Sequence, residues 1–173
     1  ENCLEFIEPH GTCIAIVPQS CAMNTKKGNL DVKKRLLAKH TLKAVMSMPD
    51  QLFEDSDIST YTCILVFEAH KPHNPSVKTW FGYWKHDGYI KVRPYGRIDY
   101  YKTYQNKIKK YWLDSYFNKK EVDGFSILKG IEAEDEWLVE PYIKTRFQDV
   151  TDKNFVLTMR EYETFLYSNQ LTD

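Results

Sequence analysis

The amino-terminal part of the chain alternates between short apolar runs and polar connections. Residues 13–17 form an unbroken apolar run between Gly11 and Pro18, and two further runs cover residues 42–48 and 61–67. Short apolar runs bounded by Gly or Pro predict strands, and the first run predicts a strand buried on both faces. Such strands belong to parallel sheets covered by helices, so the pattern predicts an α/β fold.

An amphipathic helix is predicted over residues 31–40, with Asn29 or Asp31 as its capping residue. A helix between two strands favours a right-handed crossover, so we expect the first two strands to be parallel. The connection to the third run is too short for another helical crossover, so that strand should run antiparallel to its neighbour. The basic residues of the helix indicate either a solvated face or phosphate contacts; they are Lys33, Lys34, Arg35 and Lys39.

The remaining elements are predicted from turn signals and apolar spacing. They are the end of a helix in residues 1–8, a hairpin over residues 77–84 and 89–92 that turns at residues 86–88, a helix over residues 100–118, a short strand over residues 125–131 and a helix from residue 151. The helix over residues 100–118 has an apolar stripe formed by Tyr104, Ile108, Tyr111, Trp112 and Ser115.

The charges cancel overall but separate locally. The chain has 173 residues, 24 basic and 24 acidic, so bulk charge does not indicate a nucleic-acid partner. Residues 85–120 nevertheless carry ten Lys or Arg against three Asp, and residues 121–140 carry seven acids against one Lys. The basic, aromatic-rich stretch favours contact with a DNA backbone through Lys107, Lys109 and Lys110. The alternative is that the basic and acidic segments compensate each other.

Cysteine and histidine spacing excludes several classes of site. The four cysteines show no Cys-x-x-Cys pair, which is typical of a reduced, cytoplasmic protein. His70 and His73 lie in a proline-containing turn without nearby ligands, so exposed loop histidines are expected rather than a metal site. No secretory leader or bilayer-spanning apolar run is present in the sequence.

Six segments of the first half stand in an informative order. They are Gly11, Ile-Ala-Ile-Val-Pro at 14–18, Lys-Arg-Leu-Leu at 34–37, Leu-Lys-Ala-Val at 42–45, Met-Pro-Asp-Gln-Leu-Phe at 48–53 and Thr-Cys-Ile-Leu-Val-Phe at 62–67. Together they resemble the second half of the catalytic domain of adenine-N6 DNA methyltransferases, notably the modification subunits of type I restriction-modification systems. The resemblance implies that residues 1–84 form the carboxyl-terminal half of a Rossmann-like methyltransferase sheet. Residues 85–173 would then be an appended α+β region, which contacts DNA or a partner subunit.

Two motifs of that family are missing. The family binds S-adenosylmethionine with a glycine-rich loop and holds its target with an Asn-Pro-Pro-aromatic tetrapeptide. The sequence contains no Gly-x-Gly, and its single Asn-Pro, Asn74-Pro75, is followed by Ser76. We therefore interpret the chain as a carboxyl-terminal fragment of a longer enzyme. S-adenosylmethionine is expected to be the cofactor of the full-length enzyme, whereas this fragment alone should neither bind it nor methylate DNA.

The resemblance also implies site residues. Phe53 occupies the place of an aromatic residue that stacks on the flipped target adenine, although a loop Phe more commonly packs at the edge of a core. The loop after the first strand leaves the carboxyl end of that strand, where α/β sheets place ligand sites. DNA-contacting candidates in this loop are Gln19, Ser20, Asn24, Lys26 and Lys27. The alternative for this segment is a solvated connection.

The expected partners follow from the same resemblance. They are double-stranded DNA and the specificity subunit of a restriction-modification complex. The carboxyl-terminal helix would contact that subunit, and the alternative is that this helix packs on its own domain. An uncovered sheet edge would also favour self-association of the fragment. A different class of function is a non-catalytic DNA-binding or subunit-assembly module. An unrelated nucleotide-binding domain is disfavoured because no phosphate-binding glycine loop occurs.

Overall fold

A computed structural model describes residues 1–23, 27–50, 52–53, 60–144 and 151–168. Within these ranges the side chains of Lys27, Asn154, Phe165, Leu166 and Ser168 are not described. The chain divides into two compact units, Glu1–Ile143 and Lys144–Asp173. The second unit contains helix α4, Asp152–Ser168, which confirms the predicted carboxyl-terminal helix.

A five-stranded mixed sheet forms the centre of the first unit. Its strands are β1 (Thr12–Pro18), β2 (Thr41–Ser47), β3 (Thr62–Glu68), β4 (Thr79–Tyr83) and β7 (Ser126–Lys129), in the spatial order β1-β3-β2-β4-β7. Strand β3 pairs antiparallel with both β1 and β2, so those two strands are parallel to each other. The three predicted strands are therefore neighbours in one sheet, and the antiparallel direction of the third strand is confirmed.

Strand β1 lies at the edge of this sheet, and the prediction that both of its faces are buried is wrong. Exposed and half-buried residues alternate along it, and Ile14 and Ile16 are 66% and 60% exposed. No helix in the described part of the first unit covers that face. The interior strands β2 and β3 are almost completely buried.

Helix α2 (Lys27–Lys39) connects β1 to β2 and begins earlier than predicted. Asn29 and Asp31 lie inside the helix, so neither is its cap. The Asn29 side chain instead donates hydrogen bonds to the carbonyl oxygens of Ser20 (2.6 Å) and Met23 (3.0 Å). Leu36 and Leu37 pack on one face of the sheet, as expected. A short helix, α1 (Asn2–Glu5), precedes β1 and confirms the helical character of the first residues.

Two apolar clusters cover the two faces of the sheet. One contains Leu42, Val45, Phe67 and Phe81 with Trp137. The other contains Ala44, Met46, Trp80, Trp84 and Trp112. Leu42 and Ala44 belong to opposite clusters because the β2–β3 register shifts between them. The carboxyl-terminal part of the first unit therefore covers both faces of the strands that the amino-terminal part supplies.

The predicted hairpin of residues 77–84 and 89–92 is wrong. Strand β4 pairs parallel with β2 and antiparallel with β7. Trp80 and Phe81 are buried on opposite faces of the sheet, so β4 needs a neighbouring strand on each side. The second run pairs instead as β5 (Ile90–Val92) with β6 (Gly96–Ile98) in a separate two-stranded sheet.

The predicted helix over residues 100–118 and the strand over residues 125–131 are both present but shorter. A π-helical turn, Tyr104–Ile108, leads into helix α3, Lys109–Phe117. Trp112 and Ser115 of the predicted stripe are buried, and Tyr104 and Ile108 pack on the same cluster as Trp112. Strand β7 lies within the predicted range.

Candidate functional site

Three parallel strands end at the same edge of the sheet, which we call the carboxyl rim. Strands β1, β2 and β4 run in one direction, so Pro18, Ser47 and Tyr83 end on this rim, and β3 starts there. Backbone hydrogen bonds join the segments: Gln19 N–H donates to Tyr61 O (2.8 Å), Met48 N–H to Thr62 O (3.1 Å) and Trp84 N–H to Ser47 O (2.8 Å). The rim is therefore a fixed platform for the turns that leave it.

A charged network lies under the turn that follows β2. The wholly buried Ser47 donates its hydroxyl hydrogen bond to Glu140 Oε2 (2.7 Å). Lys85 Nζ lies 3.4 Å from Glu140 Oε1 and 3.5 Å from Asp50 Oδ1. Burial lowers the pKa of Lys85, but the carboxylates of Glu140 and Asp50 outweigh burial and raise it. The network ties this turn to two distant parts of the chain and keeps Lys85 cationic.

Sequence reasoning missed this network. In the sequence, Lys85 is a cation directly after a predicted strand, and Glu140 is an acid close to Trp137. Their pairing joins segments that are far apart in sequence, so no local spacing indicates it. Lys85 Nζ also lies 5.8 Å and 6.0 Å from the ring centroids of Tyr61 and Tyr83, which places aromatic rings around the cation at the rim.

Phe53 lies in the turn after β2 and is 37% exposed, whereas the neighbouring Leu52 is half-buried. A partly exposed ring at the carboxyl rim is compatible with stacking and with edge packing alike. The stacking role therefore stays a prediction. Residues 51 and 54–59 lie outside the described part of this turn.

The loop after β1 is used partly for structure. Gln19 and Ser20 belong to a 3-10 turn, Gln19–Cys21, in which Gln19 Nε2 donates to Thr62 O at 3.4 Å. Ser20 is exposed at this turn. Asn24 and Lys26 lie outside the described residues, and Lys27 is described only as the first residue of α2. DNA contact by these five residues remains a prediction.

The basic residues of α2 have partners within the fold. Lys34 Nζ lies 2.8 Å from Glu134 Oε1, and Lys39 Nζ lies 3.3 Å from Glu5 Oε1. Arg35 donates two hydrogen bonds of 2.8 Å to the Glu1 carboxylate. Lys33 is 1% exposed, so it belongs to no solvated face. Phosphate would have to compete with these carboxylates, which favours a structural role for the helix.

The basic stretch after β6 is more accessible. Lys107, Lys109 and Lys110 are exposed, and within the described ranges no carboxylate lies within 4 Å of their ammonium groups. Acidic residues of the following segment pair with Lys34, Lys129 and Lys85. These three exposed lysines remain candidates for phosphate contact.

The described residues fit neither S-adenosylmethionine nor the family's target-holding tetrapeptide. The sole Asn-Pro, Asn74-Pro75, precedes the amino end of β4 and therefore lies at the edge of the sheet opposite the carboxyl rim. Asn74 Oδ1 accepts the backbone N–H of Ser76 at 2.9 Å, so the side chain is used in its own turn. No glycine-rich loop follows β1, whose carboxyl end continues into Gln19–Cys21.

The histidines form ordinary structural contacts. His70 N–H donates to His40 Nδ1 (3.0 Å), and His73 Nε2 lies 3.2 Å from Ile131 O. Among the residues with described positions, no group of three or more His, Cys, Asp or Glu side chains is arranged to hold a metal ion. Within the same ranges, no helix combines the length and apolar character needed to cross a membrane.

Comparison with known proteins places this geometry in a family. A family model described as N-6 DNA Methylase matches residues 1–164. The chain is 26% identical over 171 residues to the type II restriction enzyme and methyltransferase RM.BcgI of Heyndrickxia coagulans, an alignment that covers 96% of this chain and 26% of the relative.

Two solved structures share the fold. The type I restriction-modification methyltransferase subunit of Streptococcus thermophilus matches with a TM-score of 0.58 and 14% identity, over 78% of this chain and 27% of that chain. A chain from a structural study of complex assembly and conformational transition of the type I R-M system matches with a TM-score of 0.53 and 16% identity, over 95% and 35% of the two chains. The chain thus spans about a quarter to a third of the length of these relatives. The resemblance inferred from the ordered strand and turn segments is confirmed: the chain belongs to the N-6 DNA methylase family.

Proposed function

We propose that this chain provides the target-base side of an enzyme that transfers a methyl group from S-adenosylmethionine to N6 of adenine in DNA, within a restriction-modification system. Family membership supports the reaction class. The observation that carries the assignment to the target-base side is the position of Phe53, a partly exposed ring in the turn that leaves the carboxyl rim after β2. Enzymes that modify a base hold the flipped base against aromatic or apolar side chains.

The proposed division of labour follows the strand arrangement. Residues 1–84 supply the parallel strands β1, β2 and β4, with the antiparallel strand β3 between β1 and β2, and we propose that this set is the carboxyl-terminal half of a Rossmann-like methyltransferase sheet. Residues 85–173 are the proposed appended region. Its β7 and Trp137 segment complete the core of the first unit, so its first part is also a support for the rim.

In this proposal the residues of the chain position the acceptor. The cofactor would supply the activated methyl group, and the described residues of this chain do not fit it. Methyl transfer to an amino group needs positioning and electrostatic stabilisation rather than a covalent enzyme intermediate. Phe53 would hold the plane of the base, while Lys85 and its carboxylate partners keep the Asp50 turn in place.

The proposed partners are double-stranded DNA and a specificity subunit. The exposed lysines at 107, 109 and 110 support DNA contact. Helix α4 carries apolar side chains that nothing described within its own unit covers, including Phe155, Met159 and Tyr162, and these support a subunit contact. The position of β1 at the edge of the sheet and the exposed Ile14 and Ile16 on one of its faces support self-association at this end of the sheet.

The test of the proposed function is Phe53→Ala in the complete enzyme. Stacking on a base is worth about 1–3 kcal/mol, so the variant should lose roughly five-fold or more in capture of the flipped adenine. DNA with 2-aminopurine at the target position reports flipping by fluorescence, and methyl transfer from tritiated S-adenosylmethionine reports the reaction. Cofactor affinity should stay nearly unchanged.

Two controls make this test specific. Phe53→Tyr keeps a ring and should retain flipping, whereas Phe6→Ala removes a ring that is 89% exposed on another element and should have no effect. If Phe53→Ala flips and methylates as well as the parent enzyme, the ring only packs at the rim and the assignment fails.

A further inference from the structure

An aromatic cleft of about 310 Å³ opens beside the carboxyl end of β4. Its walls include Tyr83 at the end of that strand, Tyr111 and Trp112 of α3, and Phe125 just before β7, with Lys107 and His86 at its margin. Pockets that bind small ligands measure roughly 300–1,000 Å³, so this cleft has room for a single heterocycle. It lies on the β4 side of the carboxyl rim, whereas Phe53 follows the neighbouring strand β2.

The rings of the cleft are held in place before any ligand arrives. Trp112 stacks on the buried Trp84 with a centroid distance of 5.1 Å and an interplanar angle of 7°. Tyr111 contacts Phe125 with centroids 4.8 Å apart. Tyr111 is nevertheless 42% exposed, so part of its ring remains available. A rigid, partly uncovered aromatic surface is the arrangement on which an unstacked base stacks without regard to sequence.

A positive charge also lines this cleft, because Lys107 is among its lining residues. Lys107 is exposed, and the described residues place no carboxylate within ion-pair distance of it. Lys107 and Ile108 reach the cleft from the π-helical turn Tyr104–Ile108. Single π-helical turns are rare and occur frequently at functional sites. The extra residue of such a turn changes which side chains a helix presents at that point, here a cation next to the aromatic walls.

The combination selects one class of ligand. A free anion would be held by Lys107 without needing aromatic walls, and an aliphatic ligand would need no cation. A nucleotide in an unpaired strand offers both a flat π-face and a phosphate. We propose that the aromatic cleft binds one unstacked nucleobase of the DNA, in addition to the target base, with the phosphate of that nucleotide at Lys107. This proposal rests on the proposed action of the protein on DNA, and it adds a second base-binding position on the same rim.

The experiment compares single-stranded oligonucleotides with and without bases. The chain is titrated with oligothymidylate and with an abasic oligonucleotide of equal length, and tryptophan fluorescence reports binding because Trp112 lines the cleft. The oligonucleotide with bases should bind roughly ten-fold more tightly than the abasic one. Equal affinities would overturn the proposal, since phosphate alone would then account for binding.

Variants separate the two parts of the site. Tyr111→Leu and Tyr111→Ala should abolish the preference for bases and leave abasic affinity unchanged, whereas Tyr111→Phe should keep the preference. Lys107→Gln should weaken both oligonucleotides alike and flatten the dependence of binding on salt. Circular dichroism checks that each variant is folded. A preference for bases that survives both Tyr111→Leu and Tyr111→Ala would overturn the proposal.

Two further results distinguish this proposal from others. N-acetyltyrosinamide is tested as a competitor, with selective excitation of tryptophan. Competition by this compound without any preference for bases would assign the cleft to an aromatic side chain of a protein partner, and would overturn the proposal. The proposed function is tested separately by Phe53→Ala. If Tyr111→Leu loses the preference for bases while Phe53→Ala flips the adenine normally, the cleft proposal stands and the target-base role of Phe53 is rejected. If Tyr111→Leu keeps the preference while Phe53→Ala fails to flip the adenine, only the cleft proposal is rejected.

Discussion

Lys33 offers a quantitative test of how the two halves of the first unit fit together. Its ammonium group donates a hydrogen bond to Asp135 O (2.8 Å) and lies 4.8 Å from the ring centroid of Trp137. Burial lowers the pKa of Lys33 from 10.5 to about 8, although nearby Glu136, Asp135 and Glu134 oppose this effect. The charged form is therefore less stable in the folded protein than in the unfolded chain.

The sign and size of the pH effect follow from this difference. Between pH 8 and 10.5 the unfolded chain binds more protons at this position than the folded protein, so stability rises with pH in that window. The full difference corresponds to about 3 kcal/mol, of which about 2 kcal/mol falls between pH 7 and pH 9.5. In Lys33→Met the new side chain has a similar shape and does not titrate. The free energy of unfolding of the parent minus that of the variant should therefore increase by about 2 kcal/mol between pH 7 and pH 9.5.

Urea denaturation followed by circular dichroism measures this quantity at the two pH values, at constant ionic strength and with reductant. Lys34→Met is the matched control. Lys34 is 53% exposed beside Glu134, whose hydrogen bond raises the pKa of Lys34, so its contribution should be constant over the same range. If the difference in free energy of unfolding between the parent and Lys33→Met does not change from pH 7 to 9.5, the claim that burial destabilises the charged form of Lys33 is refuted.

Three other predictions concern DNA, acid stability and the cofactor. Replacing Lys107, Lys109 and Lys110 by Gln should reduce the slope of log affinity against log salt by about 0.9 for each lost duplex phosphate contact, and an unchanged slope would assign these charges to a structural role. Hydrogen bonds, first from His10 and then from Lys71 and Lys43, hold the pKa of Glu68 at about 2. The contribution of Glu68 should therefore be present above pH 4.5 and lost as pH falls toward 2; Glu68→Gln should remove up to about 1 kcal/mol of stability at neutral pH and less at pH 2.5, measured by thermal or urea unfolding. Calorimetry with S-adenosylmethionine should detect no binding to residues 1–173, and tight binding would show that the chain contains a cofactor site.

The strands of the amino-terminal half could be predicted because each coincides with an apolar run of strand length. What covers a strand could not be predicted in the same way. The run containing Ile14 and Ile16 has the composition of a buried strand, yet it forms the edge strand of the sheet. The composition of an apolar run does not show which segments will pack against it. Similarly, turn signals predict a local hairpin for β4, whereas its two partners come from distant segments.

The candidate site was predictable to the same extent. The carboxyl rim could be predicted because the order of strand, helix and strand along the chain fixes which strand ends lie together. The stacking role of Phe53 rests on resemblance and stays a prediction. Lys33 shows the limit of helical periodicity, which places it with its charged neighbours, while the fold buries it beneath residues 135–137. The contact between Ser47 and Glu140 likewise depends on tertiary packing, for which the spacing of polar residues contains no signal.

The return of β3 between β1 and β2 has a consequence for how this family can diversify. The segment between Ser47 and Thr62 leaves and re-enters the sheet on the same rim, and its ends are joined by the hydrogen bond from Met48 N–H to Thr62 O. Doubling the length of a connection with fixed, adjacent ends adds only about 0.6 kcal/mol of closure entropy. We therefore expect insertions in the turn that contains Phe53 to leave the strand register intact, so this turn can change in length and sequence while the sheet that supports it is kept.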